Sequence, residues 1–273
     1  MPLLPHASGD RRRSRALITR IRVAGASWWA VVAAVLGLTA WAALAAQTSS
    51  PPKRFVAVFV VDGLRPDAIN PTDTPTIARL RAEGANYLNS HSVFPTVTRL
   101  NTATLTSGAY PARHGIVGNS MFVSTVDERA PFDTGDFRTL LALEATSGRA
   151  ITTDTLGEIL QRRGRTLVTV SSGSTGNGFL LNPQARQGAG VAINGLFDRG
   201  VTAAYPAPVS DAILRRFGPP PPDPDDLGQM HWTDTVLRDY VLPELRPDVV
   251  IDWLGPLDSS QHADGVGSPA ALG

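Results

Sequence analysis

The 273-residue chain has no cysteine. A disulfide framework and thiolate metal ligands are therefore excluded, and any metal must be held by oxygen and imidazole. Imidazole is itself scarce, with five His in the chain, of which His91, His114, His231 and His262 lie beyond residue 46. A third absence is local: Val23 to Ala46 carries no charge, and includes "SWWAVVAAVLGLTAWAALAA". An uncharged run of this length, about twenty residues or more, is long enough to cross a bilayer as a helix.

Ahead of that run stand Arg11, Arg12, Arg13, Arg15, Arg20 and Arg22, against only Lys53 and Arg54 just beyond it. This asymmetry orients the N-terminus to the cytoplasm and predicts that everything after residue 46 is exported. Ala43-Leu44-Ala45 also fits a small-x-small cleavage site, so a membrane anchor and a cleaved signal peptide both stand as readings of 23–46. The expected organisation is a basic cytoplasmic leader (1–22), an anchor or signal (23–46), a linker (47–54) and one domain (55–273). Setting aside the six Arg and one Asp of residues 1–46 leaves 19 basic and 23 acidic residues in the rest. A near −4 balance argues against a nucleic-acid binder, which would show a basic stripe.

Beyond the linker, "FVAVFVVDG" (55–63) reads as a parallel strand buried on both faces. "TPTIARLRAEG" (74–84) reads as a helix that Thr74 can cap and Gly84 can stop. The alternation recurs in "DTLGEILQRRG" (154–164) before the strand "RTLVTVSS", and in a helix before a strand at Val249 to Leu254. It predicts an α/β fold with a mostly parallel central sheet and helices on both faces. The segment from Asn119 to Arg149 reads as polar and irregular, lying beside the substrate.

An open parallel sheet keeps its chemistry at its strand ends. Asp62 ends the first strand and Asp258 follows the last. Either alone is as readily a turn former. "LDSSQHADG" places Asp258 and His262 four apart, on one helical turn, a spacing suited to a shared metal. Between these ends, Thr98 opens a helix "TRLNTATLTSG" that stops at Gly108. A Thr at a helix N-terminus suits an activated hydroxyl or a bound phosphate, although it can equally be only a cap. Asn101, three residues on, can donate its amide to a phosphoryl oxygen.

These residues together resemble the alkaline phosphatase superfamily, in its nucleotide pyrophosphatase/phosphodiesterase (type I phosphodiesterase) branch. The match consists of "VFVVDGLRPDAI", Thr98 with Asn101 and Ser107-Gly108, "YPARHGIVGN", and "PLDSSQH". In the last, Leu257 is an extra residue within the family's Pro-Asp-x-x-x-His pattern. The resemblance spans about residues 55–273. It implies a hydrolase of small phosphodiester or nucleotide substrates, working through a Thr98 nucleophile, a covalent phosphothreonine and two zinc ions ~4 Å apart. Asp62 and Thr98 are the expected ligands of one ion, Asp258 and His262 of the other. The family adds an Asp-His pair and a final His from later segments, and no such residues follow His262 here. The sequence is therefore expected to be the N-terminal portion of such a domain, truncated at its C-terminus, with weak zinc binding and an open sheet edge. His114 is expected only to support the loop after the nucleophile helix.

Other classes fit less well. "SSGSTGNG" misses the spacing of a serine-hydrolase nucleophile elbow, and a sulfatase would need a Cys or Ser converted to formylglycine. The serious rival is a non-catalytic family member, or a phosphomonoesterase of the same superfamily.

Overall fold

The computed structural model describes residues 28, 30–37, 55–196, 204–222 and 226–272. Of the expected span 23–46, only residues 28 and 30–37 are described, and they are helical. The remainder lies outside the described residues, among which no helix is long and apolar enough to cross a membrane.

Residues 54–273 form one compact unit. The chain runs β1 (Val56–Val61), α1 (Pro75–Glu83), α2 (Thr98–Ser107) and α3 (Pro111–His114). A short antiparallel hairpin of β2 (Ser120–Met121) and β3 (Phe132–Asp133) follows. Then come α4 (Phe137–Ser147), α5 (Leu156–Arg162), β4 (Leu167–Ser171), α6 (Thr175–Leu181), β5 (Val191–Asn194) and β6 (Ala204–Tyr205). The unit continues through α7 (Ala207–Phe217), α8 (Asp226–Val236), a wide π turn over Leu237–Leu245, β7 (Val249–Leu254) and α9 (Pro256–Asp264).

The main sheet has the order β1-β7-β4-β5-β6, parallel throughout except for the β5–β6 pair. Alternation along β4 and β7 divides the core between the faces. Val168, Val170 and Val250 meet Ile213 of α7 and Trp232 and Val236 of α8 on one side. Leu167, Ile251 and Trp253 meet Leu181 of α6 on the other. Helices thus lie on both faces, as the alternation in the sequence predicts.

Local chemistry explains the element ends. Glu158 accepts from the Thr155 backbone N–H (2.8 Å) and hydroxyl (2.9 Å), closing the N-terminus of α5. Gly108 ends α2 in the left-handed conformation, which costs glycine little.

Two expectations are corrected. Among the described residues β1 pairs only with β7, so it is an edge strand. Val56 and Phe59, on opposite faces of the strand, are 48% and 60% exposed, so β1 is not buried on both faces among the described residues. The segment 119–149 is also more ordered than its polar composition suggests. It contains the β2–β3 hairpin and α4, whose Phe137, Leu140 and Leu143 are buried with Ile116 and Phe179.

Candidate active site

The Asp62-Gly63 pair builds the first half of the site. Asp62 extends the ladder past β1, its N–H donating to the Leu254 carbonyl at 3.0 Å. Gly63 then turns with φ 77°, and a Cβ there would stand 3.0 Å from the Asp258 backbone Cα. Only glycine meets both demands, so it lets α9 dock against the end of β1. Gln261 of α9 donates to the Gly63 carbonyl at 3.2 Å and fixes the contact. In this way two segments about two hundred residues apart in sequence share one corner.

Thr98 is the first residue of α2, after Val97 at the cap position. Its Oγ1 donates to Asp62 Oδ2 at 3.3 Å, and Trp253 Nε1 donates to the same oxygen at 3.3 Å. The Asp62 carboxyl sits above its ordinary pKa. Burial is the main cause and the charge of Asp258 the second, opposed by the hydrogen bonds from Trp253 and Thr98. On α9, His262 Nε2 lies 3.6 Å from Asp258 Oδ2. Asp258 is half-buried and His262 exposed.

Asp62, Thr98, Asn101, Asp258 and His262 all line one open cleft of about 460 Å³. The structure therefore brings every expected site residue together. Two carboxylates held close enough to repel, with a hydroxyl and an imidazole beside them, suit a divalent cation. Among the described residues no cluster of three or more His, Cys, Asp or Glu side chains could hold one ion.

Asn101 differs from expectation. Its Oδ1 accepts from Val93 N (2.7 Å), and its Nδ2 faces the carbonyls of Val93 (3.1 Å), Pro95 (3.4 Å) and Val97 (3.0 Å). Both ends of the amide are spent on shaping the loop that delivers Thr98. The cleft has another amide, Asn119, which the sequence reading left unassigned. Its Oδ1 accepts from Arg99 N at 3.0 Å, leaving Nδ2 as the donor it can offer to the cleft. Its place at the end of "HGIVGN" was a signal that spacing alone could not interpret.

His114 is buried and carries no site role. Its Nδ1 accepts from Ile116 N (3.2 Å), so Nε2 carries the proton and faces Thr104 Oγ1 at 3.0 Å. Burial lowers its pKa and keeps it neutral. It ties the loop to α2, the supporting part expected of it.

Comparison with known proteins agrees with this geometry. The chain is 34% identical to a venom phosphodiesterase of Naja atra over 67 residues, 24% of this chain and 8% of that protein. It is 36% identical to bis(5'-adenosyl)-triphosphatase ENPP4 of Pongo abelii over 75 residues, 28% of this chain and 16% of that one. Among solved structures it resembles phosphonoacetate hydrolase from Sinorhizobium meliloti 1021 in complex with phosphonoacetate, at 21% identity and a TM-score of 0.58. That likeness, which shows the fold, covers 81% of this chain and 50% of the hydrolase, so the chain spans about half the length of this solved relative. The profile of one family, type I phosphodiesterase / nucleotide pyrophosphatase, matches residues 56–272. With the strand-end aspartates and the helix-opening threonine in one cleft, the chain belongs to the type I phosphodiesterase / nucleotide pyrophosphatase family.

Proposed function

We propose that the protein hydrolyses small phosphodiesters of the nucleotide class, with Thr98 as nucleophile and a phosphothreonine ester as covalent intermediate. The observation that carries this reading is the Thr98 hydroxyl, at a helix N-terminus, donating to a strand-end carboxylate inside a cleft that also holds Asp258 and His262.

Zinc suits the donor set of carboxylate, hydroxyl and imidazole without thiolate. Asp62 and Thr98 would hold one ion, Asp258 and His262 the other. Bound there, the ions would lower the pKa of a hydroxyl or a water and neutralise charge on phosphoryl oxygens. The remaining work belongs to the side chains. Asp62 Oδ2 aims the Thr98 hydroxyl at a phosphorus atom in the cleft. The Oγ1–P bond forms as the Thr98 proton passes to solvent in the open cleft and the bond to the leaving group breaks on the opposite side, that oxygen taking a proton from water to leave as the alcohol. Asn119 Nδ2 donates to a phosphoryl oxygen where charge develops. A water then attacks the same phosphorus and frees Thr98, so two in-line displacements restore the original configuration.

The test is an acid quench of the protein with an activated nucleotide diester, followed by peptide mass mapping. The expected result is the substrate's phosphoryl group on the peptide containing Thr98, and retention at phosphorus with a chiral thiophosphate. Turnover with no label on Thr98, or with net inversion, would refute the reading.

Export is part of the same proposal, supported by the six Arg ahead of residues 23–46. A reporter fused after Gly273 should work only outside the cytoplasm, and activity of a cytoplasm-only reporter would overturn this topology.

A further inference from the structure

Trp253 is 5% exposed and stands on β7 between β1 and β4, in register with Val60 on one side and Ser171 on the other. Its ring packs with Ile251, Leu167 and Leu181, so it is first of all a core residue. Its edge, however, reaches the cleft. A buried indole N–H ordinarily finds a partner. Here that partner is Asp62 Oδ2, at 3.3 Å, the oxygen that also accepts from Thr98. The neighbouring loop leaves room for the ring edge, since a Cβ on Gly173 would stand 3.8 Å from Trp253 Cδ1.

The two donors on that oxygen are not equivalent. Thr98 donates to Oδ2 only until it attacks phosphorus, when its proton passes to solvent in the open cleft. An indole has one N–H and no acceptor, and keeps its proton throughout. Trp253 is thus the donor that persists on Oδ2 at the moment Thr98 ceases to donate.

We propose that Trp253 is a positioning residue, whose indole N–H holds the Asp62 carboxylate in the orientation that aims the Thr98 hydroxyl. This rests on the reading of Asp62 and Thr98 as one half of a metal-assisted site. Partners that orient a ligand typically change metal affinity or activity by about 10–100-fold when removed.

The decisive variant replaces Trp253 of the full chain by 3-benzothienylalanine, which keeps the ring shape and exchanges only the N–H for sulfur. Trp253→Phe is the genetic companion. Both should bind Zn²⁺ about 10–100-fold more weakly by calorimetry and acquire the Thr98 label more slowly by a similar factor. The metal-free thermal midpoint of the benzothienyl variant should match the wild type. In the metal-free protein, the Trp253 indole N–H resonance, identified by its loss in Trp253→Phe, should move in Asp62→Ala. Wild-type Zn²⁺ affinity and labelling in the benzothienyl variant would overturn the proposal, as would a lowered midpoint with both unchanged. An indole resonance indifferent to Asp62→Ala would overturn it without reference to any metal. Failure of the underlying reading looks different: Zn²⁺ binding by the wild type that survives Asp62→Ala.

Discussion

Asp252 provides a test that needs neither metal nor substrate. It is 1% exposed in the middle of β7, and its Oδ1 has no hydrogen-bond partner. Burial, with a smaller contribution from the charge of Asp234, pushes its pKa from 3.8 to about 7. A carboxyl raised in the folded state holds a proton that the unfolded chain has already released. Stability therefore falls as pH rises from about 4 to about 7, and none of this loss occurs below the unfolded pKa. At 1.36 kcal/mol per pKa unit the whole window is worth roughly 4 kcal/mol, of which roughly 2–3 falls between pH 5 and 8. Asp252→Asn has no such proton to lose. Urea unfolding of both proteins at pH 5 and 8, followed by circular dichroism, should show the wild type losing roughly 2–3 kcal/mol more than the variant across that interval. Other groups titrate in both proteins and cancel in the comparison. Parallel pH profiles would show that Asp252 is ionised in the fold, stabilised by something this structure does not contain.

Asn119→Ala should raise the barrier to turnover by about 2.7–4 kcal/mol, as for one lost oxyanion donor, and lower stability by about 0.5–1.5 kcal/mol by freeing Arg99 N–H; an unaffected kcat would remove it from the site. Asn101→Ala should instead destabilise the fold by about 1–3 kcal/mol by freeing loop backbone groups, and a purely kinetic defect would contradict the geometry. Gly63→Ala, at φ 77° and 3.0 Å from Asp258 Cα, should cost about 1–2 kcal/mol from the left-handed backbone alone and push α9 off the corner, measured as lost Zn²⁺ binding. On the proposed pairing of Asp62 with Thr98 and of Asp258 with His262, zinc should be removed by brief chelation; two ions that resist chelation would mean that other side chains act as ligands.

The interior of this fold was legible because its signals are local. Leu167–Ser171 and Val249–Leu254 read as strands from their apolar runs, and Thr155 with Glu158 encodes a helix start within four residues. The site was legible where a motif carries its own geometry, as in Asp62-Gly63 and Asp258 with His262. It failed where a partner is distant. Nothing in the i, i+3 spacing of Asn101 reveals that the loop from Val93 to Val97 would occupy its amide. Trp253 sits in an apolar strand, which marks it only as a core residue. The hydrogen bond across 191 positions to Asp62 is set by sheet order, which the sequence does not display. The exposure of β1 has the same origin, since an apolar strand looks alike at an edge and at a centre.

Sheet order also sets a timetable. β1 emerges early in synthesis, yet its partner begins at Val249, which pairs with Val56. At about 5–20 residues per second the ribosome needs roughly 10–40 s to make what lies between. Through that interval "VAVFVV" has no strand to pair with, and an unpaired apolar strand is the form most open to misassociation. The corner that joins Asp62 to Asp258 is thus a late event in the life of each molecule, and a pause in translation anywhere in between would lengthen the time this strand spends unpaired.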